Sequence, residues 1–77
     1  MDPKGEQVVE VLAKVAKRDK ASIKVEHELT ADLGLDSPKQ LQVLMDLEER
    51  FKIEIEAEDA AKMVTVGDVV NFVTANA

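Results

Sequence analysis

Apolar residues recur along the chain in three stripes, each at helical spacing. Val8, Val9, Leu12, Val15 and Ala16 lie three and four residues apart and predict a first helix. Asp2-Pro3 opens it, with the carboxylate as a cap and Pro near the first helical position. Lys14, Lys17 and Arg18 gather toward its end, where cations suit the helix dipole, and the helix is expected to stop near Arg18. Leu41, Leu44, Met45, Leu47 and Phe51, with Val43 on the flank, predict a second helix from about Pro38 to Phe51. Asp46, Glu48, Glu49 and Arg50 fall mostly on its other side and, taken alone, form a solvated face. Met45 suits either core filling or a compliant partner contact, and core filling is the preferred assignment. Val66, Val69, Val70 and Val73, with Phe72 nearby, form the third stripe behind a Thr65-x-x-Asp68 capping box.

The segments between the stripes complete the architecture. Asp19 to Asp36 is a connection of eighteen residues, longer than compact domains usually carry. Ile23, Val25, Leu29, Leu33 and Leu35 give it repeated anchors, so an ordered loop is expected. Ile53-Glu54-Ile55-Glu56 alternates, but four residues without a pairing partner make no sheet, and the stretch reads as an extended link with both isoleucines turned inward. Ala57 to Lys62 predicts a short third helix that needs packing to persist and is the element most open to motion. Thr74 to Ala77 is expected to fray. The sum is an all-α chain: a small four-helix bundle of three main helices and one short third helix, with a long ordered loop between the first two, as a single domain over residues 1–77.

Composition narrows the function. A chain of 77 residues buries a thin core, and without cysteine no disulfide or thiolate metal site can reinforce it. Phe51 and Phe72 are its only aromatic residues, too few for a base-stacking surface. The net charge of −6 is uneven: residues 1–35 hold six Lys/Arg against seven Asp/Glu, and residues 36–77 hold four against nine. Such a second half repels phosphate backbones and attracts basic protein surfaces, which disfavours nucleic acid as a partner. No apolar run exceeds three residues, so no membrane span is predicted, and the first residues lack the pattern of a signal peptide. The default expectation is a cytoplasmic monomer.

Catalytic constellations are not evident. The one histidine, His27, lies between Glu26 and Glu28 in the loop and reads as a solvent-facing residue, neither a metal ligand nor the base of a triad. The three glycines are scattered, and the acidic residues do not follow a calcium-loop spacing. Attention falls instead on Leu33-Gly34-Leu35-Asp36-Ser37-Pro38. Gly34 allows a sharp turn that Leu33 and Leu35 can pin to the core. Ser37-Pro38-Lys39-Gln40 reads as a helix start, with Ser37 as N-cap and Gln40 reaching back to complete a capping box. A phosphate on this hydroxyl would meet free first-turn N–H groups and the positive helix end. On these residues alone, Ser37 is a cap or an attachment point.

The chain also resembles a known family. Leu29-Thr30-Ala31-Asp32-Leu33-Gly34-Leu35-Asp36-Ser37 is similar to the Asp-Leu-Gly-x-Asp-Ser segment of acyl carrier proteins. Leu44 to Phe51, Ile53-Glu54-Ile55 and Thr65 to Val70 resemble the family's later stretches, in order and across nearly the whole chain. The resemblance implies a four-helix carrier, not an enzyme, whose Ser37 bears 4′-phosphopantetheine, derived from coenzyme A, through a phosphodiester. The arm ends in a thiol that holds acyl groups as thioesters, and the acyl chain can shelter between the helices. By the same resemblance Asp36 helps present the site to a phosphopantetheinyl transferase. Acyl-handling enzymes with basic docking surfaces would then meet Pro38, Leu41, Met45, Asp46, Glu48 and Glu49. The family usually has Leu and an acid after the serine, where this chain has Pro38 and Lys39. Gln42 replaces a further acid, and Lys52 and Glu56 stand where Gly and Pro are common. These departures point to fatty-acid or related biosynthesis with a lean toward a specialised pathway. The alternative is a small helical interaction module in which Ser37 only caps a helix.

Overall fold

The structure is a computed structural model that describes residues 2–77. Four helices follow in order, α1 (Pro3–Ala16), α2 (Ser37–Phe51), α3 (Ala57–Ala61) and α4 (Val66–Asn76), with one 3₁₀ turn at Lys20–Ser22. α1 packs against both α2 and α4. It begins where expected, with the Asp2 carboxylate accepting the Gly5 N–H at 2.8 Å. It ends at Ala16, before Arg18, because Lys17 turns left-handed (φ 58°) and the Arg18 N–H bonds back to the Ala13 carbonyl. At the other end of the chain α4 runs to Asn76, and Lys4 Nζ donates to the Ala77 carbonyl at 2.8 Å.

The core is one cluster of aliphatic side chains from all three long helices and the loop, with Leu12, Leu35, Leu47, Val66, Val69 and Val73 essentially inaccessible. Ile53 and Ile55 are half-buried against it, as their alternation predicts. α2 is rotated from the orientation its apolar stripe implies. Val43 and Leu47 are buried, Leu44 and Phe51 half-buried, whereas Leu41 and Met45 are 58% and 57% exposed. Met45 is therefore surface, not core filling. Apolar residues cover more than half of the circumference of this helix, and packing against α1 decides which part faces inward. Met63, just after α3, is buried although no periodicity marks it.

The long loop is ordered, as expected, and its backbone does much of the anchoring. The Leu29 N–H donates to Val64, the Val66 N–H to His27 and the Gly67 N–H to Val25, each at 2.9 Å, with an isolated antiparallel bridge between Glu28 and Thr65. Ile23, Leu29, Leu33 and Leu35 are buried, but Val25 is 43% exposed, so its carbonyl and not its side chain holds the chain. That contact is close: a Cβ on Gly67 would stand 3.2 Å from the Val25 oxygen. His27 is half-exposed and its Nδ1 accepts the Lys24 N–H at 3.2 Å.

Candidate functional site

The turn ahead of α2 is built from the loop inward. Asp32 Oδ2 accepts the Glu28 N–H at 2.7 Å, and Gly34 takes a left-handed φ of 67° with its N–H on the Thr30 carbonyl. The chain then reverses so that the Leu35 N–H reaches the Leu29 carbonyl at 2.9 Å and the Leu35 side chain enters the core. This delivers Asp36, not Ser37, to the cap. Asp36 Oδ1 accepts the Lys39 N–H at 3.0 Å, and its carbonyl accepts the Gln40 N–H at 2.8 Å. Ser37 is the first helical residue, exposed, with no hydrogen bond to its hydroxyl among the described residues.

Two expectations are corrected here. The predicted Ser37 cap and Ser-x-x-Gln box do not form, because Asp36 takes the cap: its carboxylate accepts the Lys39 N–H and its carbonyl the Gln40 N–H. The open cradle of first-turn N–H groups is also absent: Lys39 and Gln40 are already bonded and Pro38 has none, which leaves the Ser37 N–H alone. A group attached to Ser37 would meet an uncommitted hydroxyl at the positive end of a helix and a mostly closed backbone.

Gln40 turns away from Ser37 and ties the loop to the helix. Its Nε2 donates to the Leu35 carbonyl at 2.8 Å and to Thr30 Oγ1 at 2.9 Å. It also lines a cavity of about 30 Å³ under α3, together with Leu29, Leu35, Val43, Leu44, Ala60, Met63 and Val69. This cavity was not visible in the sequence, since its walls come from the loop, α2, α3 and α4.

The residues expected to meet partners are only partly brought together. At about 100° per residue, Pro38, Leu41, Met45 and Glu49 share the outward face of α2. Asp46 lies on the flank toward α1, in a groove that Glu49 also lines, with Lys14, Arg50 and Lys52. Glu48 lies on the opposite flank, where its Oε2 accepts the Ile55 N–H at 2.9 Å. The expected acidic face is thus divided, with Asp46 and Glu49 along the groove toward α1 and Glu48 turned to the other side.

The sequence matches the family described as "Phosphopantetheine attachment site" over residues 6–73. It is 44% identical over 66 residues to an acyl carrier protein of an Exiguobacterium species, covering 86% of this chain and 84% of that one. It is 42% identical over 71 residues to an acyl carrier protein of Helicobacter pylori, covering 92% and 91%. A solved Mycobacterium tuberculosis structure assigned as an acyl carrier protein superposes with a TM-score of 0.88 at 33% identity, covering 94% of this chain and 96% of the other. Bundle and match together define a helical carrier domain of the phosphopantetheine-bearing class. The chain belongs to the acyl carrier protein family. Its members are carriers and not enzymes; they bear a covalently attached 4′-phosphopantetheine and work with acyl-handling enzymes. Among the described residues no helix is long and apolar enough to cross a membrane.

Proposed function

We propose that Ser37 carries the phosphopantetheine arm and that the protein presents acyl thioesters to enzymes of a specialised biosynthetic pathway. The observation that carries this reading is the exposed Ser37 hydroxyl, released from capping by Asp36 at the head of α2. In the loading step Ser37 Oγ forms a new P–O bond to the pantetheine-bearing phosphorus of coenzyme A. The pyrophosphate P–O bond breaks, the adenosine 3′,5′-bisphosphate half leaves, and the hydroxyl proton departs. Asp36 presents the site by holding the turn, since its carboxylate fixes the first turn of α2.

The outward face of Pro38, Leu41, Met45 and Glu49 is the docking face for the transferase and the acyl-handling enzymes, with Asp46 and Glu48 reached at its flanks. Exposed Leu41 and Met45 favour this over a purely structural helix. Lys39 and Gln42, at the start of that helix, favour partners less basic there than enzymes of housekeeping fatty-acid synthesis. The apolar cavity under α3 favours shelter for a short acyl chain.

Incubation of the apo protein with coenzyme A and a broad-specificity transferase tests the attachment by intact mass. One arm is expected on the wild type and none on Ser37→Ala. No gain with several transferases, or a gain that survives Ser37→Ala, overturns the proposal. Poor loading by a fatty-acid malonyl transferase and poor elongation by a ketosynthase are expected; efficient turnover with both removes the specialised pathway.

A further inference from the structure

The cavity under α3 has one polar side chain in an otherwise apolar wall, Gln40, and its amide orientation is settled by its neighbours. The Leu35 carbonyl can only accept, so the group facing it is the NH₂, and Thr30 Oγ1 takes the second N–H. Both donors are spent. What Gln40 still offers is Oε1, a pure acceptor. Among the described residues no buried side-chain nitrogen or oxygen lacks a partner, so this oxygen lies where solvent reaches it, on a residue that lines the cavity.

We infer that Gln40 makes this carrier selective for short acyl cargo bearing a hydroxyl near the thioester, through a hydrogen bond to Oε1. The inference rests on Ser37 as the attachment site. A saturated chain entering the cavity would cover the oxygen, strip its water and leave an acceptor unpaired, which is a costly outcome. A hydroxyl replaces that water. An ammonium would supply a donor too, but it would lose its hydration against Leu29, Val43, Leu44 and Met63, so a neutral donor is the better match. The volume of about 30 Å³ is small, which favours short chains.

The test loads the wild-type protein with butyryl or 3-hydroxybutyryl arms from the corresponding coenzyme A thioesters. Amide hydrogen exchange at Ala60 and Met63, the cavity residues of the α3 side, is then compared by NMR. Exchange roughly tenfold slower with the hydroxylated cargo is expected, the factor associated with sparing one acceptor from burial unpaired. Gln40→Leu should abolish the difference between cargoes. Thr30→Val, which removes a clamp partner but keeps the acceptor, should retain it. Because each comparison is made within one variant, loss of overall stability cancels. Equal exchange for the two cargoes in normally loaded wild type overturns the inference alone, as does a difference that survives Gln40→Leu. Absence of any mass gain at Ser37 overturns the attachment reading and this inference with it.

Discussion

The Asp36 carboxylate accepts the Lys39 N–H at 3.0 Å, and by taking the cap it leaves the neighbouring Ser37 hydroxyl outside the bonds that hold α2 together. Structure and chemistry are thereby assigned to adjacent residues. Asp36→Ala should cost about 1 kcal/mol, as loss of a cap does. Ser37→Ala should stay within about 0.5 kcal/mol. Urea unfolding of both variants checks this, and a Ser37 effect as large as the Asp36 effect would return the cap to the serine.

The rotation of α2 makes a second contrast. Leu47 is fully buried and Met45 is 57% exposed, though they are two residues apart. Leu47→Ala should lose about 3 kcal/mol through lost burial and a residual cavity. Met45→Ala should lose no more than about 0.5 kcal/mol while slowing arm transfer by the transferase, because it truncates the outward face. A Met45→Ala variant as unstable as Leu47→Ala would mean that this face packs inward in solution.

Which features were legible in the sequence depended on how locally each was decided. The Asp2 cap and the Thr65–Asp68 box involve residues three apart, so the side chains and their donors are both visible in a short window. The Ser37 cap failed for a different reason. Asp and Ser both cap well, and the choice was made at Leu35, whose bond to Leu29 and burial in the core bring Asp36 to the helix end. The same limit applies to α2: Leu41, Val43, Leu44, Met45 and Leu47 cover too wide an arc for periodicity to select the buried edge. Asp46 and Glu48 are two residues apart, and helical rotation sends one toward Lys14 and the other to the Ile55 N–H.

Two helix ends carry strain that substitution can release. Lys17 and Lys52 hold φ of 58° and 57°, the left-handed region in which a Cβ is disfavoured. Lys52→Gly should raise stability by up to about 1 kcal/mol, a gain readable as a higher urea midpoint. Gly34, at φ 67°, is the converse. A Cβ there meets nothing within 4 Å, so the roughly 1 kcal/mol expected for Gly34→Ala is conformational strain and not a clash. A stabilised Gly34→Ala would show that the turn relaxes to another conformation.

Two carboxylates should shape the acid response in opposite directions. The Thr65 and Val64 N–H groups donate to Asp68 and hold its pKa below the ordinary 3.8. On acidification the unfolded chain takes up this proton first, so the Asp68 contribution is whole above pH 3.8 and is lost as pH falls through the depressed value. Glu56 is pushed above its ordinary 4.5 by a hydrogen bond with Glu54 and by the Glu54 charge, with smaller effects from desolvation, Asp59 and Glu48. Here the folded chain binds the proton more tightly, so the Glu56 contribution is whole below pH 4.5 and is lost as pH rises through the raised value. Asp68→Asn should therefore be less stable than wild type at pH 7 and converge with it in acid. Glu56→Gln should match wild type below pH 4.5 and exceed it at neutral pH. Added salt screens the Glu54–Glu56 repulsion, so it should raise wild-type stability and shrink the Glu56→Gln gain. Melting temperatures of the three proteins across the acid range, at low and high salt, decide the matter; parallel curves would exclude both carboxylates as the source of the pH dependence.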